Sequence, residues 1–135
     1  MVVVEIEVPP RSAYVGVVRL ATTSLARTAG FDEEIVDDLK IAVSEACTNA
    51  VLSNREAATD EPIAVTWQQE DGRVEIEVGD RGSTWDPDGE PGPDDSQETS
   101  TRLVLSMALL RSLVDKCDVA PRDGGGMSTR LTINR

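Results

Sequence analysis

The order in which hydrophobic periodicity changes along the chain restricts its fold more than any single motif. Val2, Val4, Ile6 and Val8 alternate with Val3, Glu5 and Glu7, the period-two pattern of a strand with one buried face. Pro9-Pro10 stops it. The period then lengthens. Tyr14, Val17, Val18, Ala21 and Leu25 recur every three or four residues behind Ser12, a candidate helix cap. Gly30 ends that helix at a left-handed cap position, and Asp32 opens the next, with Glu33 and Glu34 in its positive first turn. This second helix is expected to run to about Ser53 and to bury Val36, Leu39, Val43, Ala46 and Ala50.

After the polar stretch NREAATDEP, period two returns in IAVTWQQ and RVEIEVGD, a hairpin turning at Glu70-Asp71-Gly72. Residues 83–100, STWDPDGEPGPDDSQETS, are rich in Pro, Gly and Asp, with Trp85 the only large apolar side chain; they read as a long lid loop. A helix is expected from about Thr101 to Val114, with Leu105, Leu109 and Leu113 on one stripe. KCDVA and MSTRLTIN, joined through residues 121–126, supply a last pair of strands. The order β-α-α-β-β-loop-α-β-β predicts an α/β chain: an α+β two-layer sandwich whose mostly antiparallel sheet is covered on one face by three helices. Residues 1–135 read as a single domain.

Composition narrows the chemistry. Aromatic residues are only 3 % of the chain, so the core must be built from Val, Leu, Ile and Ala. There is no histidine, which removes Ser-His-Asp catalysis and His-ligated metals and leaves Asp, Glu or Lys as any general base. The net charge of −12 opposes nucleic acid and anionic membranes and favours basic protein partners. Cys47 and Cys117 lack metal-site spacing and read as reduced packing residues. No segment approaches the ~20 apolar residues of a membrane span. The start MVVVEIEVPP lacks the basic region of a secretory signal, so the cytoplasm is the expected compartment.

Two segments carry candidate chemistry. In EACTNAVLS, residues 45–53, Glu45 and Asn49 project from one helical face. The amide oxygen can ligate a hard cation, and the carboxylate can take a proton from a hydroxyl nucleophile. In GDRGSTWDP, Asp80 ends a strand, where its carboxylate can accept from an amine. Gly82 there leaves room for a flat ligand. Alone, the first is an ordinary polar pair on an amphipathic helix and the second an ordinary Asp-Gly turn.

In combination they are diagnostic. Helical E-x-x-x-N-A, a hairpin, D-x-G at a strand end, a long lid and a helix resemble the GHKL or Bergerat-type histidine-kinase-like ATPase fold, most closely the RsbW and SpoIIAB group of anti-sigma serine kinases. The resemblance covers nearly the whole chain. It implies that Asn49 ligates the Mg²⁺ bridging ATP phosphates, that Glu45 activates the attacking hydroxyl, and that Asp80 receives the adenine amino group. It further implies a sigma factor held away from RNA polymerase, a serine of an anti-anti-sigma partner as phosphate acceptor, and a homodimer.

The chain also departs from that pattern. The second glycine of D-x-G-x-G corresponds to Thr84. In STRLVLSMAL, Val104 and Ser106 occupy positions normally held by glycine, and a β-branched valine there is expected to crowd the phosphates. Met127 stands about where the family often has threonine. Two outcomes follow. Arg102, with the hydroxyls of Ser100 and Thr101, replaces the lost backbone donors at the helix start, or nucleotide binding is weak and the protein acts by sequestration alone. The acidic lid residues Asp86, Asp88, Glu90, Asp94, Asp95 and Glu98 oppose a triphosphate unless offset.

Overall fold

The computed structural model describes residues 1–82 and 97–134. The expectations attached to Thr84, Trp85, the acidic lid residues and the Ser100 hydroxyl lie outside the described residues.

The described residues form strand β1 (Val2–Val8), helix α1 (Val15–Thr28), helix α2 (Glu33–Glu56), strands β2 (Ile63–Glu70) and β3 (Arg73–Gly79), helix α3 (Gln97–Leu113), and strands β4 (Lys116–Pro121) and β5 (Met127–Asn134). The five strands make one sheet in the order β1-β2-β3-β5-β4, every pair antiparallel. Register follows the alternation: Val4 and Ile6 lie opposite Trp67 and Val65, which in turn face Ile76 and Val78. Their side chains meet the helices, whereas Val3, Glu5 and Glu7 on the other sheet face are exposed. Trp67, Leu39, Ile63, Ile76, Leu110 and Leu131 are the largest fully buried side chains, so the core lies between α2 and the central strands.

Three helical expectations need correction. Ser12 does not cap α1; Ser12–Tyr14 form a 3-10 turn entered at Arg11 without a side-chain cap bond, and α1 begins at Val15. The tighter turn shifts the helix phase. Tyr14 and Val17 are consequently exposed, while Val15, Val18, Thr22, Thr23 and Ala26 are buried. Threonines are tolerated there because each hydroxyl bonds a carbonyl one turn back: Thr22 Oγ1 to Val18 O at 2.9 Å and Thr23 Oγ1 to Arg19 O at 2.9 Å. Asp32 occupies the cap position of α2 but its side chain makes no cap bond. The buried set expected for α2 is found, and the helix continues to Glu56 before Ala58 turns with φ 54°.

Helix α3 starts at Gln97, inside the segment read as lid, and Leu105 and Leu109 point outward. Its inward face is Ser106, Met107 and Leu110. The sequence offers apolar residues all round this helix, so periodicity alone could not select the buried side.

Candidate functional site

Helix α2 sets the line of the site. Glu45, Asn49 and Ser53 are spaced by four residues, so they rise along one face over about 12 Å. Each meets a different neighbour.

At the Ser53 end lies the D-x-G turn. Asp80 follows β3 and is 7 % exposed. Its Oδ1 accepts from the Gly82 N–H at 3.0 Å, the Met127 N–H at 3.2 Å and the Ser53 hydroxyl at 3.4 Å. Oδ2 has no partner among the described residues. Burial raises the carboxyl above the usual aspartate range, against the pull of the Gly82 and Met127 amides, the Ser53 hydroxyl and the Arg122 charge. The turn fits closely on α2: a Cβ on Gly82 would stand 2.2 Å from Ser53 Oγ and 2.4 Å from the Ser53 carbonyl oxygen. Here glycine is required by close backbone approach.

Further groups hold this turn that the sequence reading did not identify. Asn54 is fully buried; its Oδ1 accepts from Arg81 N at 2.8 Å and its Nδ2 donates to Glu61 O at 2.8 Å. Arg122 lies across Gly79 and donates to the Asp80 carbonyl at 2.8 Å. Arg81 reaches the carbonyls of Asp123 and Gly125 at 2.6 and 2.8 Å. Gly126, at φ 91°, passes so near Asp80 that a Cβ would stand 2.1 Å from its carbonyl oxygen. The Gly-Gly-Gly run was the one visible sign of this close approach. Apart from the Asn54–Glu61 bond, these polar ties join residues 27 to 47 apart in sequence, which local pattern does not report.

At the middle of the line, Asn49 Nδ2 donates to Ser106 Oγ at 2.6 Å, and Asn49 Oδ1 accepts from Arg102 Nη1 at 3.3 Å. Arg102 also pairs with Glu56 at 3.6 Å. Ser106 is buried, whereas Val104 is 54 % exposed within a continuous helix, so Ser106, and not Val104, lies against the Asn49 amide. Thr101 is exposed. The residues present do not fit a divalent metal at Asn49: the oxygen that would ligate it faces a guanidinium.

Glu45 is half-buried and lines an open groove of about 510 Å³ between α1 and α2, with Arg19, Lys40, Ile41, Ser44 and Thr48 among its walls. Arg19 Nε is buried there without a hydrogen-bond partner among the described residues. The groove is large enough to admit a protein side chain to the Glu45 carboxylate.

Asn49 and Asp80 thus lie near successive turns of one helix, Arg102 joins Asn49, and Glu45 opens to a separate groove one turn away. Against known proteins, residues 8–133 match the family described as the histidine kinase-like ATPase domain. The chain is 33 % identical over 140 residues to a serine-protein kinase RsbW of Bacillus pumilus, covering 98 % of this chain and 86 % of the relative. It is 32 % identical over 137 residues to the serine-protein kinase RsbW of Bacillus subtilis, covering 97 % and 86 %. Among solved structures, the RsbU and RsbW domains of a Mycobacterium tuberculosis protein superpose with TM-score 0.74 at 21 % identity, covering 99 % of this chain and 32 % of that one. That likeness concerns the fold.

Proposed function

The chain belongs to the histidine kinase-like ATPase domain family, among the RsbW serine-protein kinases, and from that premise we propose that it is an anti-sigma factor that binds ATP and phosphorylates a serine of an anti-anti-sigma partner. The observation that carries this reading is the line Glu45–Asn49–Ser53 on α2, ending at a buried Asp80 whose Oδ1 is saturated and whose Oδ2 can receive an amine. An exocyclic amine suits that oxygen; a carbonyl in its place would meet a carboxylate, which favours adenine over guanine.

In the transfer step, the partner's serine Oγ enters the groove and attacks the γ-phosphorus. The new O–P bond forms as the bond to the ADP oxygen breaks, and Glu45 takes the serine proton. Positive charge near the phosphates comes from Arg102, and Mg²⁺ has no part at Asn49, whose oxygen Arg102 holds. Membership of the family extends the reading to a sigma factor as the sequestered protein, a homodimer, a cytoplasmic setting and a single domain over residues 1–135. Among the described residues no helix is long and apolar enough to cross a membrane.

The test has two stages. ATP at 100-fold excess over Kd should stabilise the fold by about 2.7 kcal/mol. Label from γ-phosphate-tagged ATP should then appear on a serine of the anti-anti-sigma protein with the wild type and not with Glu45→Ala. Transfer by that variant at the wild-type rate would remove Glu45 from its role. A non-catalytic binding module of the same fold is the second reading, favoured by the way Ser106 and Arg102 enclose the Asn49 amide. It predicts no ATP-dependent shift in melting.

A further inference from the structure

The side-chain amide of Asn49 is fixed at both ends. Its nitrogen donates at 2.6 Å to the hydroxyl of Ser106, a residue only 4 % exposed, and its oxygen faces Arg102 Nη1 at 3.3 Å. The Ser106 hydroxyl can pair with either end of the amide, but turning the amide over would set an N–H group against the Arg102 guanidinium, so the oxygen stays directed at the cation. A hard divalent ion bound to that oxygen would need to approach within about 2.1 Å and to keep its own octahedral shell. The guanidinium occupies that approach and repels a second cation.

We infer that Arg102 stands in the place of a divalent metal, so that this site binds the phosphates of a nucleoside di- or triphosphate without one. The inference rests on the nucleotide reading above. A guanidinium carries five N–H donors in a planar fork, and the bond to Asn49 uses one. The contact to Glu56, at 3.6 Å between half-exposed groups, is longer than a hydrogen bond and is easily exchanged for a phosphate oxygen. Arg102 therefore has donors available for a bidentate grip on phosphate while Asn49 and Ser106 orient it. In a chain of net charge −12, a cation supplied by the protein also offsets the surrounding field where the phosphates would lie.

The experiment is calorimetric titration of the full chain with ADP and with ATP, once in excess EDTA and once in excess Mg²⁺. For the wild type, Kd should differ by less than about threefold between the two buffers. Arg102→Ala should weaken binding in EDTA by about tenfold or more, and Mg²⁺ should restore part of it because the Asn49 oxygen is then open. Arg102→Lys, which keeps the charge and loses the fork, should fall between them. Arg102 is partly exposed, so the nucleotide-free melting temperatures of the variants should match the wild type and exclude unfolding as the cause. Wild-type binding that requires Mg²⁺ overturns the inference and leaves the nucleotide reading intact, as does undiminished binding by Arg102→Ala in EDTA. Absence of binding in both buffers overturns the nucleotide reading itself and the inference with it.

Discussion

Asn54 offers the sharpest test of how the D-x-G turn is held. Its side chain is 0 % exposed and joins two segments, accepting from Arg81 N and donating to Glu61 O, both at 2.8 Å. Asn54→Ala removes both bonds at once. The Arg81 N–H, half-buried against α2, is left without its acceptor, which costs about 1–3 kcal/mol. Glu61 is exposed, so its carbonyl regains water and adds only a few tenths, about 0.5 kcal/mol. The vacated volume adds a cavity contribution of about 0.5–1 kcal/mol. The expected loss is about 2–4 kcal/mol. With unfolding entropy near 2.1 cal/mol/K per residue over 135 residues, that lowers Tm by about 7–14 °C. The assay is paired urea and thermal denaturation at pH 7, checked for an unchanged urea m-value. A loss below about 0.5 kcal/mol would mean that water already reaches both backbone groups, and the account of Asn54 as the tie between α2 and the turn would be wrong.

Four further outcomes follow from the same geometry. Gly126→Ala combines left-handed backbone with a Cβ 2.1 Å from the Asp80 carbonyl and should cost about 2–4 kcal/mol in urea melts, whereas Gly125→Ala, at φ 105° with nothing within 4 Å, should cost only the backbone strain of about 1–2 kcal/mol. Gly82→Ala should destabilise by about 1–3 kcal/mol and weaken ATP binding in calorimetry, because Ser53 must move. Asp80 has its folded-state carboxyl raised, so its contribution is fully present below the ordinary aspartate value and is lost as pH rises through the folded one. Asp80→Asn should therefore flatten the fall in stability as pH rises above the ordinary aspartate value, while abolishing adenine nucleotide binding, and an unchanged slope would refute the assignment. Burial holds the Cys47 thiol up at about 12 and the Cys117 thiol at about 11, so native protein should react with dithionitrobenzoate at neither, and at both once denatured in guanidinium.

The element order was legible because the period switches cleanly from two to 3.6 and back, and the strand pairs and α2 follow it closely. Helix α1 was misphased for a physical reason. Thr22 and Thr23 look polar in sequence, yet their hydroxyls bond their own helix and leave the methyl groups for the core. Helix α3 was ambiguous because Leu103, Val104, Leu105, Met107 and Leu109 leave few polar positions to mark an outer face. At the site, the residue types Asn49 and Asp80 could be picked out by spacing within short motifs. Their partners could not: Met127 N, Arg122 and Asn54 reach the turn from distant segments, and a backbone N–H carries no sequence signature. In sequence Ser106 stands as the loss of a glycine; in the structure it is a buried hydrogen-bond partner of the Asn49 amide.

The two ends of the α2 line are built differently. Around Asp80 the contacts are backbone-rich and mutually dependent: two amides on Oδ1, an arginine on its carbonyl, and a glycine packed against α2. A side chain added at Gly82 or Gly126 has no space to enter, so the Asp80 end is pre-organised before any ligand arrives. Around Asn49 the arrangement depends on three side chains, with Arg102 at 3.3 and 3.6 Å from its partners. The 3.6 Å contact to Glu56 is readily exchanged, whereas the hydrogen bond to Asn49 is kept, and α3 can carry serine in place of glycine by offering a hydroxyl instead of backbone. On the proposed nucleotide reading, selectivity for the base would therefore reside at the Asp80 end, and the cation that meets the phosphates would be decided by side chains on α3.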